Sequence, residues 1–331
     1  MRLNCLRALL GALLATALLA GPAAARPAVA DLAPPPAADG ARIAAAFAQL
    51  SRTTTWQLVE KVPLKFDAHH PEGIARIGDH FVLSTVEVTE PTQRYQPPGT
   101  IIDGTDRTPG KGIGHLIAFD GQGNRLDDVQ VGDGARIYHP GGLDYDGRSL
   151  WTAVAEYRPN KPSIIYRVDP LSLRAREALR TPDHIGGIVH DTRRDRVLNW
   201  GSRKAYDWKL TPLGARLTDT TVNPSHFVDY QDCKYLGRPR SFRHPAMLCS
   251  GIAGLQHPGP DGQPVSYDLG GVALVDVVTM RPLNEVPFQQ YTDQRQVATR
   301  NAIDVQIVNG RLRLYLVADD DESDLLVYEA G

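Results

Sequence analysis

The chain has 331 residues, 42% hydrophobic and 22% charged, an ordinary globular composition that excludes a disordered or collagen-like chain. Its 36 basic and 38 acidic residues give a formal net charge of −2, so no basic excess exists to neutralise phosphates and no nucleic-acid partner is expected. With 30 glycines, 25 prolines and short apolar runs in the body, the sequence favours many short strands over long helices.

The first segment reads as an export signal. Arg2 and Arg7 precede an uncharged apolar stretch, 9–20, and Ala23-Ala24-Ala25 supplies small residues for cleavage before Arg26. A signal peptide over 1–25 is therefore expected, with the protein periplasmic or secreted. The apolar stretch is short for a bilayer and no later stretch is longer, so no membrane span is expected after cleavage. Residues 26–52 read as a flexible Ala/Pro-rich leader with a short helix within 41–50, and 53–331 as one domain. Two cysteines remain, Cys233 and Cys249, at a spacing that suits neighbouring strands of a hairpin. Both a disulfide and two buried thiols are open.

The body repeats. His-Pro-Glu-Gly-Ile-Ala at 70–75, His-Pro-Gly-Gly-Leu-Asp at 139–144 and His-Ile-Gly-Gly-Ile-Val at 184–189 each precede a turn and an apolar run. A third strand then ends in Asp and a turn, as at Asp120 and Asp169, and a fourth closes the unit. Weaker copies begin at Gln231 and Ala302. Four short antiparallel strands per repeat indicate an all-β fold of propeller blades. The last copy runs out after its third strand, and Trp56–Val62 has the strand character to complete it. The expected fold is a five-bladed β-propeller closed by this N-terminal strand, with no open edge left in the ring. Six blades is the alternative, because the fourth repeat is long enough to hold another hairpin.

Hairpin geometry places the start of each innermost strand beside the end of the next. Glu87 lies 17 positions beyond His70, Glu156 17 beyond His139, and Asp319 17 beyond Ala302, while Arg203 lies just past the matching place after His184. His70, His139 and His184 are thus expected around one channel mouth, with Glu87, Glu156, Arg203 and Asp319 beside them. Glu72, Asp232 and Asp304 start innermost strands and are expected to point into the channel. Tyr157 and Trp200 would stack on a ligand there, and Arg158 or Arg203 would bind an anionic group. The loops 88–114 and 256–267 fall on the same face and read as binding loops.

Histidine at one position in three successive repeats suits a metal site or a ligand-contacting ring, since neutral imidazole is a common transition-metal ligand. His70, His139 and His184 are the candidate ligands of a divalent metal. A purely structural ring of histidines is the competing reading. The acidic run 319–324 reads either as a calcium loop or as a solvated turn. Two functions stay open: an enzyme acting on a small polar ligand in the mouth, with Glu72, Asp304 or His139 as acid or base, and a non-catalytic binding propeller. Hydrolase, lactonase and lyase chemistry all fit the first. The oligomeric state is open.

The blocks His-His-Pro-Glu-Gly-Ile, Tyr-His-Pro-Gly-Gly-Leu-Asp-Tyr-Asp-Gly, Val-Ala-Glu-Tyr-Arg-Pro, Asp-His-Ile-Gly-Gly-Ile-Val and Trp-Gly-Ser-Arg resemble a family of exported bacterial proteins with no assigned function. That resemblance covers nearly all the chain after Phe66. More distantly, Glu72-Gly73-Ile74 and Asn301-Ala302-Ile303-Asp304 are similar to blocks of plant-type glutaminyl cyclotransferases, which implies a secreted five-bladed propeller with acyl-transfer chemistry. The block that carries the catalytic glutamate in that family reads Gly141-Gly142-Leu143 here. Glu72 also resembles the first metal ligand of gluconolactonase-type propellers, which implies a metal-dependent lactonase.

Overall fold

The computed structural model describes residues 34–194, 196–200 (backbone only), 204–225 and 229–331. The expected signal peptide, the first part of the leader, Arg203 and the Trp200 side chain lie outside these residues. After helix α1 (Gly40–Phe47), the described chain is β-strand and turn. No described helix is long and apolar enough to cross a membrane.

The described strands form five four-stranded antiparallel sheets, taken up almost in chain order. The first is β2 (His70–Ile77), β3 (His80–Glu90), β4 (Lys111–Asp120) and β5 (Arg125–Val131). The second is β6 (Ile137–Tyr145), β7 (Leu150–Glu156), β8 (Ser163–Val168) and β9 (Ala175–Thr181). The third is β10 (Gly187–Asp191), β11 (Arg196–Trp200), β12 (Lys204–Thr211) and β13 (Gly214–Val222), and the fourth β14 (Asp229–Tyr235), β15 (Ala246–Pro258), β16 (Pro264–Asp276) and β17 (Pro282–Phe288). In the fifth, β18 (Ala302–Val308), β19 (Arg311–Val317) and β20 (Asp324–Ala330) are joined by β1 (Trp56–Pro63), which runs antiparallel to β20 from Trp56↔Ala330 to Pro63↔Asp324. The arrangement is propeller-like. The extra length of the fourth repeat is not a loop over 256–267: β15 and β16 stay paired out to Pro258↔Pro264.

The aspartate that ends a third strand makes the next turn. Asp120 accepts the amides of Gln122 and Asn124, Asp169 those of Leu171 and Ser172, and Asp276 those of Val278 and Thr279. Such Asx turns satisfy amides that a tight reversal would otherwise orphan. In the fourth sheet Cys233 and Cys249 are register partners on β14 and β15 and form a disulfide.

Of the innermost strands β2, β6, β10, β14 and β18, one carboxylate on β14 ties together β2, β6 and β18. Asp232 is fully buried; its Oδ2 accepts the amides of Ile74 and Ile303, and its Oδ1 accepts that of Leu143, each at 3.0 Å. The buried Lys234 ammonium donates to Oδ1 at 2.8 Å and to the Leu143 carbonyl. Amides that reach one carboxylate must lie at one depth. Ile74, Leu143 and Ile303 are therefore equivalent, which puts Asn301, not Asp304, level with Glu72.

Two expectations are corrected by this register. Asp304 lies one step deeper, where its carboxylate accepts the amides of Arg76 and Val305, so it is far from the histidine mouth and is not an acid or base there. Asp232 has its lone pairs taken by backbone and Lys234 and binds strands rather than a ligand. The far end is crossed by the chain's own N-terminal segment: Pro34–Pro36, Asp39 and Ile43 enclose, with Arg76 and Asp304, a space of only about 30 Å³. Residues 36–47 are thus packed rather than a free leader, because α1 buries Ile43, Ala44 and Phe47 against Leu236, Val305 and Leu314.

Asp232→Ala should cost about 3–5 kcal/mol in denaturant unfolding, since it strands a buried ammonium and three amides. A second prediction concerns Asp144, where burial pushes the carboxyl up to about 7 against the pull of Lys234 and of the His190 and Tyr235 amides. A pKa above that of an unfolded aspartate stabilises the fold in full below about pH 4, and this contribution is lost as pH rises through 7. The melting temperature should fall over that window, and Asp144→Asn should flatten the fall.

Candidate functional site

His70, His139 and His184 do gather at one mouth. The His70 and His139 ring centroids are 6.4 Å apart, and those of His139 and His184 5.8 Å. Between the first two rises Glu72, whose Oε1 lies 3.1 Å from His70 Nε2 and 3.1 Å from His139 Nε2. Donor atoms of the three residues fall within 4.8 Å of one another. They line a cavity of about 430 Å³ together with His184, Tyr157, Asn301 and Arg107.

Each ring is oriented differently. His70 turns Nδ1 to Asp320 Oδ1 at 2.8 Å, and Arg300 pairs with the same carboxylate at 3.3 Å. Burial opposes a charge on His70, but the hydrogen bonds to Asp320 and Glu72 win and push its pKa up to about 9. Glu72 is raised by burial and lowered more by the two imidazoles, to about 2. Without a metal, this site therefore holds its positive charge as a proton. His184 donates Nδ1–H to the Glu156 carbonyl at 2.8 Å; burial and the neighbouring His139 hold its pKa below the ordinary value, leaving Nε2 as a neutral lone pair. His139 packs edge-on to Tyr157 at 4.4 Å, and its Nδ1 has no hydrogen-bond partner among the described residues, so Glu72 is its polar anchor.

Other expected residues move away from the mouth. Glu156 is buried in an ion pair with Arg158, which reaches Thr105 and Asp103 of the loop between β3 and β4 and straps that loop down, so neither side chain is presented to a ligand. Asp319 accepts the Thr292 hydroxyl and faces a separate acidic cavity with Asp293 and Asp324. Its neighbour Asp320 is the one that holds His70, a distinction between adjacent turn residues that the spacing count does not resolve. Glu87 stands beside the mouth in an adjoining cavity of about 520 Å³ that shares His70 and Tyr157. Arg300, Asp320 and Asn301 carry no repeat signal. Only the depth register set by Asp232 would have marked Asn301 as the partner of Glu72.

Position 141, which the cyclotransferase resemblance would fill with a catalytic glutamate, has no room for a side chain. A Cβ there would lie 2.2 Å from the Gly186 carbonyl oxygen, where β6 runs against the chain entering β10. Among the described residues, a Cβ at Gly186 would meet nothing within 4 Å. The donor set itself, two imidazoles and a carboxylate with an aspartate behind one imidazole, suits a first-row transition ion.

Comparison with known families places the chain. It belongs to a family of unknown function, DUF6454. Residues 28–331 match. No curated protein matches. Among solved structures, it is similar to a mannose phosphorylase from Leishmania mexicana in complex with phosphate, at 10% identity and TM-score 0.42 over 82% of this chain and 88% of that one. It is also similar to a GH43 beta-xylosidase/alpha-arabinofuranosidase from a compost microbial metagenome, at 8% identity and TM-score 0.43 over 84% and 95%. A third is a DUF4623 family protein from Bacteroides eggerthii, at 10% identity and TM-score 0.42 over 81% and 59%.

The packing around position 141 gives a paired prediction. Gly141→Ala should destabilise this DUF6454 protein by about 1–3 kcal/mol through overpacking. Gly186→Ala should stay within about 0.5 kcal/mol of wild type. Thermal melts of the two variants side by side check this.

Proposed function

We propose that the chain is an exported, metal-dependent hydrolase of small polar esters or lactones, working at one mouth of a closed five-bladed ring. The observation that carries this reading is the convergence of His70 Nε2, His139 Nε2 and Glu72 Oε1 at a cavity of metabolite size. A divalent ion held there would polarise a carbonyl oxygen and lower the pKa of water. Asp320 would fix the tautomer and direction of His70, as outer carboxylates do for metal-ligating histidines. Tyr157 and Arg107 would orient the substrate from the wall, and His184 offers a neutral nitrogen to accept a proton. The far end, crossed by the N-terminal segment, leaves the histidine mouth as the way in.

Export is supported by Arg2 and Arg7 ahead of the apolar stretch 9–20, and by the Cys233–Cys249 disulfide, which an oxidising compartment would preserve. A binding propeller without chemistry is the second reading, favoured by the two arginines, Arg107 and Arg300, beside the histidines.

Elemental analysis of the purified protein, with hydrolysis measured over a panel of lactones and esters, tests the proposal. Zinc, manganese, cobalt or nickel should be bound and required for turnover. Glu72→Gln and His139→Ala should abolish turnover with the fold intact by circular dichroism, and Asp320→Asn should weaken metal binding about 10- to 100-fold. A protein that binds small ligands equally well with and without metal, and turns none over, would establish the second reading instead.

A further inference from the structure

A second cluster of donors stands beside the first and shares no residue with it. His69 precedes β2, Glu87 lies on β3 and His115 on β4, and one donor atom from each falls within 4.8 Å of the others. His115 is 92% buried by its side-chain exposure of 8%. Its Nδ1 lies 2.8 Å from Asp128 Oδ1, which places the ring proton on Nδ1. Its Nε2 is buried without a hydrogen-bond partner among the described residues and faces Glu87 Oε2 at 3.5 Å. An imidazole nitrogen facing a carboxylate oxygen across this gap is a place where a metal ion can take the position of a proton or a water.

The third donor is prepared in the same way. His69 Nδ1 lies 3.2 Å from Asp67 Oδ1, leaving Nε2 available, and its ring stacks on that of His115 with centroids 5.1 Å apart. Both histidines thus have a carboxylate beside one ring nitrogen, which leaves the other for an ion, the arrangement that sets imidazoles for metal binding. His69 takes φ +51°, which breaks the extended run just before β2; the consecutive histidines 69 and 70 serve different clusters. The cavity of about 520 Å³ lined by His69, Glu87 and His70 gives an ion access from solvent.

We propose that His69, Glu87 and His115 form a second site for a divalent transition ion of the zinc, copper or nickel class, independent of the ion proposed at His70, Glu72 and His139. Imidazole and carboxylate donors select that class over calcium or magnesium, which demand oxygen shells.

Calorimetric titration of chelator-stripped protein with Zn2+ tests this. The wild type should take two equivalents. Glu72→Gln should retain one, and adding Glu87→Gln, a half-exposed position that spares the fold, should weaken that one at least tenfold. His115→Ala should do the same, with circular dichroism confirming the fold. Loss of all zinc in Glu72→Gln alone would overturn the second site, and so would a retained equivalent indifferent to both Glu87→Gln and His115→Ala. A single equivalent sensitive to Glu87→Gln but not to Glu72→Gln would uphold the second site while sinking the first.

Discussion

One buried carboxylate sets the geometry on which the site depends. Asp232 gathers amides from the inner strands of three other sheets and is neutralised by Lys234 from its own strand. Strands that splay from an axis have no ladder hydrogen bonds between their inner edges, so their relative heights need another constraint. A shared acceptor supplies it. Once Ile74, Leu143 and Ile303 are held level, the residues two and four places earlier in each strand reach the mouth at matched heights. That is why Glu72 can stand between two imidazoles contributed by different sheets. A buried ion pair is a weak source of net stability and a strong specifier of arrangement, because the alternatives strand charge.

The sheets were legible because their signals are local. Alternating apolar runs, Asp-terminated strands and a repeated His-x-x-Gly block depend on neighbours a few residues away. The strand at 56–62 also has strand character of its own, and it pairs with β20. The histidine cluster followed from the same repeats. What failed depends on contacts between sheets. Asp304 shares the residue type and the strand-start position of a site acid, yet it lies a step too deep, and nothing within its own repeat records that depth. Asp319 and Asp320 differ by a single place in a turn, where strand alternation gives no rule. Arg300 and Asn301 precede β18 and acquire a role only because β2 happens to run alongside: Asn301 donates to the Pro71 carbonyl and Arg300 reaches the Asp320 that holds His70.

The charge layout also changes with depth, and for one physical reason. Deep in the channel the carboxylates of Asp144, Asp232 and Asp304 are raised in pKa by burial and spend their lone pairs on backbone amides. At the mouth Glu72 is equally buried but has imidazoles for partners, so its pKa falls instead. The same residue type therefore ties strands together in one layer and faces imidazoles in the next. The difference lies in whether the neighbours can exchange a proton or an ion: an amide cannot give up its hydrogen, whereas an imidazole can trade a proton for a metal. The character of the mouth is thus a consequence of which strand positions carry histidine, and Gly73, where a Cβ would lie 2.5 Å from the Leu143 amide nitrogen, lets β2 run close enough to β6 for His139 to join His70 around a single acid.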